Sequence, residues 1–293
     1  MIERFLLYKG EIELLVIFNN DKHEYRVKNA GQDDSEATLV AGPTTPLGVL
    51  DKPLLVPWAS KMAVKDLGYY EKQIWTPDGY IPVSEQEQAK GFERMMSILQ
   101  RVKTMDAKEY WEALHQAKGA HRRGKEEAGD SGTLVHQFVE DYINWTMGKS
   151  KKPVMPKLPK VKEGVQAWLR WVKETGDVKF TLSEQKIYSK QHRYAGTLDF
   201  ACTINGIPTM GDLKTSNFFN PEMFWQVSAY QFARLEEFPE EKYTQQIIVR
   251  CGKDGTLEVK TSDRYEQSIQ SFLACWVIWK EKQILKKVYG KSE

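Results

Sequence analysis

Three cysteines in 293 residues, Cys202, Cys251 and Cys275, stand far apart with no Cys-x-x-Cys among them. A disulfide framework, a cysteine-based zinc site and an iron–sulfur cluster all need more than this, so the thiols are expected to be free and buried. Long apolar runs are also missing. Leu14 to Phe18 and Phe272 to Trp279 fall short of the roughly 20 residues a helix needs to span a bilayer, so no membrane partner is expected. The first residues hold Glu3, Lys9 and Glu11, with no charged start leading into a long apolar core and a small-residue cleavage site. No leader is therefore expected, and the chain is placed in the cytoplasm. Charge of one sign is lacking too: 42 Lys and Arg against 40 Asp and Glu leave +2, which does not announce a nucleic-acid binder. No internal repeat or low-complexity tract is present.

What is present is an ordinary globular composition, 41% hydrophobic and 12% aromatic, in a length that fits one elaborate domain or two modest ones. Charge becomes informative locally. Lys149 to Lys162 carries six lysines, three prolines and no acid, and reads as an extended basic linker. A second basic cluster, Lys118, His121, Arg122, Arg123 and Lys125, lies upstream. Gly119 to Lys125 matches most of a phosphate-binding loop, but Glu126 stands where Ser or Thr must meet Mg²⁺, and no buried strand precedes it. No ATP site is expected.

The first 30 residues are β-rich with turn signals at Lys9-Gly10 and Asn19 to Asp21, a small meander. From Leu47 to Thr104 helical stretches alternate with breaks at Pro53, Pro57 and Pro77-Asp78-Gly79, and Ala107 to Lys118 reads as a helix ending at Gly119. Ser131 is expected to cap a helix reaching Met147, whose apolar positions Val135, Phe138, Val139 and Tyr142 follow helical spacing. On it Gly132, His136 and Glu140 share a neighbouring face. A helix near Val161 to Glu174 and a strand near Phe180 to Ser189 follow. Strands Tyr194 to Ile204 and Ile207 to Thr215 are joined by Asn205-Gly206, a strong hairpin signal. Asn220-Pro221 is expected to cap and open a helix to Glu237. Strands near Tyr243 to Cys251 and Thr256 to Lys260, then a helix from Asp263 to Val288, complete the pattern.

The hairpin fixes a register. With a two-residue turn Ile204 faces Ile207, and five residues further out on each strand Asp199 faces Asp212. Alternation makes that pair non-hydrogen-bonded, the kind whose Cα atoms lie about 4.5 Å apart. Lys214, two residues on, shares the face. Pro208 falls opposite Thr203 at a position where its missing N–H is not needed. Acid-x-Lys tripeptides alone mean little, since six occur in the chain. The facing Asp separates Asp212 from the other five, because opposed carboxylates repel unless a cation lies between them. Oxygen ligands of this type suit Mg²⁺ or Mn²⁺.

The ordered set Gly132-x-x-x-His136, Ala195-Gly196-Thr197-Leu198-Asp199, Gly211-Asp212-Leu213-Lys214-Thr215-Ser216 and Gln226-x-x-x-Tyr230 resembles the PD-(D/E)XK nuclease superfamily. It is most similar to the RecB-type exonuclease branch, which includes phage recombination exonucleases. The match covers about Ser131 to Lys260, and the stretch from Thr45 to Trp58 is similar to the N-terminal region of phage members. Leu198-Asp199 stands for the family's Pro-Asp, and the four cysteines of cluster-bearing relatives are missing.

The resemblance implies an α/β (α+β) fold with a restriction-endonuclease-like mixed sheet flanked by helices, residues 131–293, behind an N-terminal β and helical extension, residues 1–130. It implies a metal held by His136, Asp199, Asp212 and the Leu213 carbonyl, with Lys214 activating water and Gln226 and Tyr230 flanking the site. Thr215 and Ser216, with Lys149, Lys151, Lys152, Arg122 and Arg123, would contact DNA. Glu140 and Glu184 are further candidates for metal contacts. The expected activity is a Mg²⁺- or Mn²⁺-dependent DNA exonuclease of recombination or repair, acting on single strands or duplex ends beside a recombination partner, as in a phage protein in a bacterial host. A structure-selective endonuclease and a non-catalytic recombination scaffold are the alternatives.

Overall fold

The structure, a computed structural model, describes residues 1–10, 12–50, 55–76 and 79–290. Glu11, the Pro53 break and the Pro77-Asp78 part of a turn signal lie outside the described residues, as does part of the stretch from Thr45 to Trp58. The fold is α+β. Strands β1 (Ile2–Leu7), β2 (Leu14–Asn19), β3 (Glu24–Asn29) and β4 (Thr38–Val40) form an antiparallel sheet in chain order. Next come α1 (Leu55–Asp66), the hairpin β5 (Gln73–Thr76) and β6 (Gly79–Pro82), α2 (Glu85–Lys103), α3 (Ala107–Lys118) and α4 (Ala120–Thr146). The remainder is α5 (Pro159–Thr175), β7 (Val178–Ser189), β8 (Tyr194–Ile204), β9 (Ile207–Lys214), α6 (Glu222–Glu237), β10 (Gln245–Cys251), β11 (Leu257–Ser262) and α7 (Tyr265–Tyr289).

The second sheet has the order β11-β10-β9-β8-β7 and is mixed. Neighbours pair antiparallel except β9 and β10, whose parallel pairing needs the crossover helix α6. Val135, Phe138, Val139 and Ile143 of α4 join Val165, Trp168 and Trp171 of α5 against Phe200, Leu213 and Val249 on one face. On the other, Val227 and Tyr230 of α6 and Phe272 and Trp276 of α7 cover Leu198, Met210 and Ile248. Trp168 is fully buried among the rings of Trp171, Phe180 and Phe200. Truncating a core aromatic of this kind to Ala costs about 3–5 kcal/mol. All three cysteines are free and buried in these layers.

The hairpin register is the expected one. Asn205 and Gly206 both hold positive φ, 49° and 82°, as a type I′ turn requires. Ile204 pairs with Ile207, Thr203 with Pro208 and Phe200 with Gly211.

Two helix starts are corrected. The helix carrying His136 begins at Ala120, and Ser131 lies inside it. Helix formers Lys125, Glu126 and Glu127 carry it through Gly124 and Gly129, so the Asp130-Ser131 cap signal is overridden. Helix α6 opens at Glu222, one residue late, and Asn220 contributes its carbonyl to Met223 N rather than a side-chain cap.

Residues 1–50 form one compact unit with residues 131–293, and residues 51–130 form another. The reason is packing. Val16, Phe18, Tyr25 and Val27 of the meander share a buried cluster with Tyr188 and Ala195 of β7 and β8. Tyr8 OH donates to the Tyr188 carbonyl at 2.7 Å, and Ala195 N to the Ala41 carbonyl at 3.1 Å. Among the described residues no helix is long and apolar enough to cross a membrane.

Candidate metal centre

The paired register of β8 and β9 ends at Phe200 and Gly211, one step before the two aspartates. Continued regularly, the ladder would send the Leu213 N–H to the Leu198 carbonyl. It goes instead to Asp199 Oδ2, at 2.8 Å. The hairpin therefore opens at its two carboxylates, with one of them capping the strand that bears the other.

Asp212 is fully buried on the face that also carries Met210 towards α6. Its Oδ1 has no hydrogen-bond partner. Its Oδ2 meets the Lys214 ammonium 2.5 Å away, in an ion pair without hydrogen-bond alignment. Burial pushes the Asp212 carboxyl up to about 6, with Asp199 adding to the rise and Lys214 opposing it. Asp199 is raised by burial too, against the pull of Lys214 and the Leu213 N–H.

Lys214 is held from both sides, since its Nζ also donates to Gln226 Oε1 at 3.1 Å. Gln226 Nε2 in turn donates to Tyr230 OH at 2.5 Å, one turn along α6. Burial and the nearby aspartates hold the Tyr230 phenol well above its ordinary range, so it stays neutral. Asp212, Lys214, Gln226 and Tyr230 thus form one chain of contacts that fixes the ammonium.

His136 approaches from α4, its Nδ1 3.7 Å from Asp199 Oδ2, a distance too long for a hydrogen bond. Desolvation, with Lys214 second, lowers its pKa to about 4, so the ring is neutral and keeps a lone pair free at ordinary pH. Close approach of α4 depends on Gly132: a Cβ there would lie 2.7 Å from Thr215 Oγ1, at the end of β9.

Glu184, a lesser candidate in the sequence, belongs to the centre. Ligand atoms of His136, Glu184 and Asp199 lie within 4.8 Å of one another. Strand β7 slips register between Phe180 and Leu182, and Ser183 then pairs with Phe200 and Gln185 with Leu198. That bulge sets Glu184 across from Asp199; without it, Glu184 would face Leu198. Glu184 also holds φ at +47°, strained for a residue with a side chain. Burial first, then Asp199 and Glu140, push its carboxyl up to about 9. Glu140, half-buried one turn past His136, accepts from Gln137 Nε2 at 3.1 Å and contributes this field.

Leu213 shows its N–H engaged by Asp199 while its side chain is buried with α4 and α5. Ser216 is exposed on the following loop. Lys149, Lys151 and Lys152 are exposed after α4, with Lys152 Nζ 5.2 Å from the Trp145 ring centre. Residues 151–157 have no regular structure, as a linker would, but its last residues from Pro159 are already helical. Arg122 and Arg123 belong to the other unit, where Arg123 is bound by Asp66 at 2.5 Å and by the Gln116 carbonyl at 2.8 Å.

The donor set fits a hard divalent cation. Oxygens from Asp199 and Glu184 and a neutral imidazole from His136 converge, and Asp212, within the field of Asp199 and His136, holds a buried carboxylate oxygen without a partner, which calls for a cation or proton. No protein-family model matches the chain, and no curated protein matches its sequence.

Proposed function

We propose that this chain is a divalent-metal-dependent deoxyribonuclease that hydrolyses phosphodiester bonds, acting as an exonuclease on DNA ends. The observation that carries the reading is the opened hairpin, where Asp199 beside His136 and Glu184 accepts from the residue after Asp212, while Lys214 is fixed on Asp212 by Gln226. A buried acid pair with a braced lysine is costly to a fold and useful to phosphoryl chemistry. Mg²⁺ or Mn²⁺ held by His136, Glu184, Asp199 and Asp212 would polarise the phosphodiester and lower the pKa of water.

The chain's own residues do the rest. The Lys214 ammonium orients the attacking water and offsets negative charge developing on the phosphoryl oxygens. Gln226 and Tyr230 keep that ammonium from swinging away. Thr215 and Ser216 lie next along the chain to receive the strand, and Lys149, Lys151 and Lys152 offer exposed charge to its phosphates. This activity fits DNA recombination or repair in a cytoplasm, including that of a phage-infected bacterium, alongside a recombination partner.

The test is degradation of end-labelled linear DNA, single- and double-stranded, with Mg²⁺, Mn²⁺ or EDTA, next to covalently closed circles and an Asp212→Ala variant. Cation-dependent loss of linear DNA alone, absent in the variant, is expected. Cutting of closed circles would instead indicate an endonuclease, and intact DNA in every lane from folded protein would refute nuclease activity.

A further inference from the structure

The loop between β9 and α6 carries two consecutive aromatics put to opposite uses. Phe219 turns inward and meets the Phe224 ring edge-on at 5.8 Å, packed against the cluster beneath the sheet. Phe218 stays 70% exposed, four residues beyond Lys214. The backbone between them is braced. Ser216 Oγ donates to the Phe218 carbonyl at 2.9 Å. Arg250, whose strand position pairs with Lys214, donates from Nη1 to the Ser216 carbonyl at 3.2 Å and from Nε to Glu258 at 2.8 Å. An exposed ring is therefore carried on a braced loop that leaves the strand of Asp212 and Lys214.

A single exposed Phe is ordinary on a protein surface. One carried four residues beyond Lys214, on the loop that leaves a centre suited to a phosphodiester, offers a flat apolar face to what that centre binds. The molecule with both features is a nucleotide whose base is unpaired, since a base inside a duplex has its faces covered by its neighbours in the stack.

We propose that Phe218 is the stacking platform for an unpaired base adjoining the phosphodiester at Asp199 and Asp212. The strand in this site is then single-stranded, or frayed from a duplex end, and is read without regard to sequence because every base has a π-face. The inference rests on the nuclease reading above and names the form of its substrate.

Phe218→Ala and Phe218→Trp test it, with a single-stranded oligonucleotide bearing 2-aminopurine near the end that is attacked. Wild type is expected to quench the 2-aminopurine on binding. Phe218→Ala is expected to lose the quench and about tenfold or more in affinity and in kcat/KM, within the range of one lost base–aromatic stack. Phe218→Trp is expected to retain both. Because the ring is exposed, neither substitution should move the melting temperature. Equal quenching and equal kcat/KM in Phe218→Ala and wild type would overturn the stacking role and leave the nuclease reading intact. A wild-type protein that cuts neither single- nor double-stranded DNA with either cation would overturn the nuclease reading, and the stacking role with it.

Discussion

Replacing Asp212 by Asn should stabilise the cation-free protein at neutral pH, an unusual outcome for a fully buried polar side chain. Its carboxyl sits at about 6 in the fold against an ordinary 3.8. Each unit is worth 1.36 kcal/mol, so the ionised form is disfavoured by about 3 kcal/mol once both states are ionised. The figure already contains the attraction of Lys214, one of the influences on the folded value.

Because the folded pKa is raised, the contribution is intact below about pH 4 and is lost as the pH climbs through about 6. Asn, close in shape and uncharged, escapes this loss. Melting curves in EDTA at pH 4.5, 6 and 8 should show the variant gaining on wild type as the pH rises, by about 6 °C at pH 8 for a chain of this size. Taking the difference between the two proteins cancels titrations elsewhere in the fold. Mg²⁺ or Mn²⁺ at high excess should reverse the order, since a ligand at 1,000 times its Kd adds about 4.1 kcal/mol to wild type and little to the variant. A variant no more stable than wild type at pH 8 in EDTA, or a gap that narrows with rising pH, would refute the electrostatic account of the centre.

Further outcomes follow from the same contacts. Lys214→Gln should lower DNA cleavage by about 10²-fold or more while keeping a cation-induced rise in melting temperature; loss of that rise would mean Lys214 supports binding of the cation rather than the chemistry. Gly132→Ala should destabilise by about 1–3 kcal/mol, because its Cβ meets Thr215 Oγ1 at 2.7 Å. Adding Thr215→Ala should remove that penalty, and urea melts showing Gly132→Ala to be stabilising by itself would contradict the contact. Joint replacement of Lys149, Lys151 and Lys152 by Ala should reduce the slope of log affinity for single strands against log salt by about 2, and an unchanged slope would exclude them from the interface.

Where the chemistry was readable in the sequence, a turn made it so. Asn205-Gly206 fixes the pairing of β8 and β9 because both residues accept positive φ, and counting outward then carries the pairing to Phe200 and Gly211, one step before the two aspartates, without tertiary information. Gln226 and Tyr230 were likewise visible as one turn of a helix, though not their hydrogen bond or the grip on Lys214.

Glu184 could not be located in this way. Its position depends on a bulge near Thr181 and on a strained φ, and neither carries a residue-type signal such as Gly or Pro. The start of α4 was hidden for a related reason, since Asp130-Ser131 is a sound local cap that the longer helix passes over. Nor does any local pattern say that the N-terminal meander packs on Tyr188 and Ala195, a contact between residues more than 150 positions apart.

The features that defeat local reading gather at one place, and that is itself an argument about the centre. A slipped register, a positive φ on a glutamate, a ladder that opens early and a buried carboxylate oxygen without a partner all lie within the span of Glu184, Asp199 and Asp212. Each costs stability on the order of 1–3 kcal/mol, and the rest of the sheet, from Trp168 to Ile248, is regular and apolar enough to tolerate them. A fold under selection for its core alone would fill these positions with neutral side chains, since opposed buried acids are easily improved upon. Their coincidence with a lysine braced by two partners is what a site that must bind a cation and move charge requires, and it sets a clear expectation. Neutral replacements at 184 and 212 should make the cation-free protein steadily more stable, and each should weaken the response to added metal.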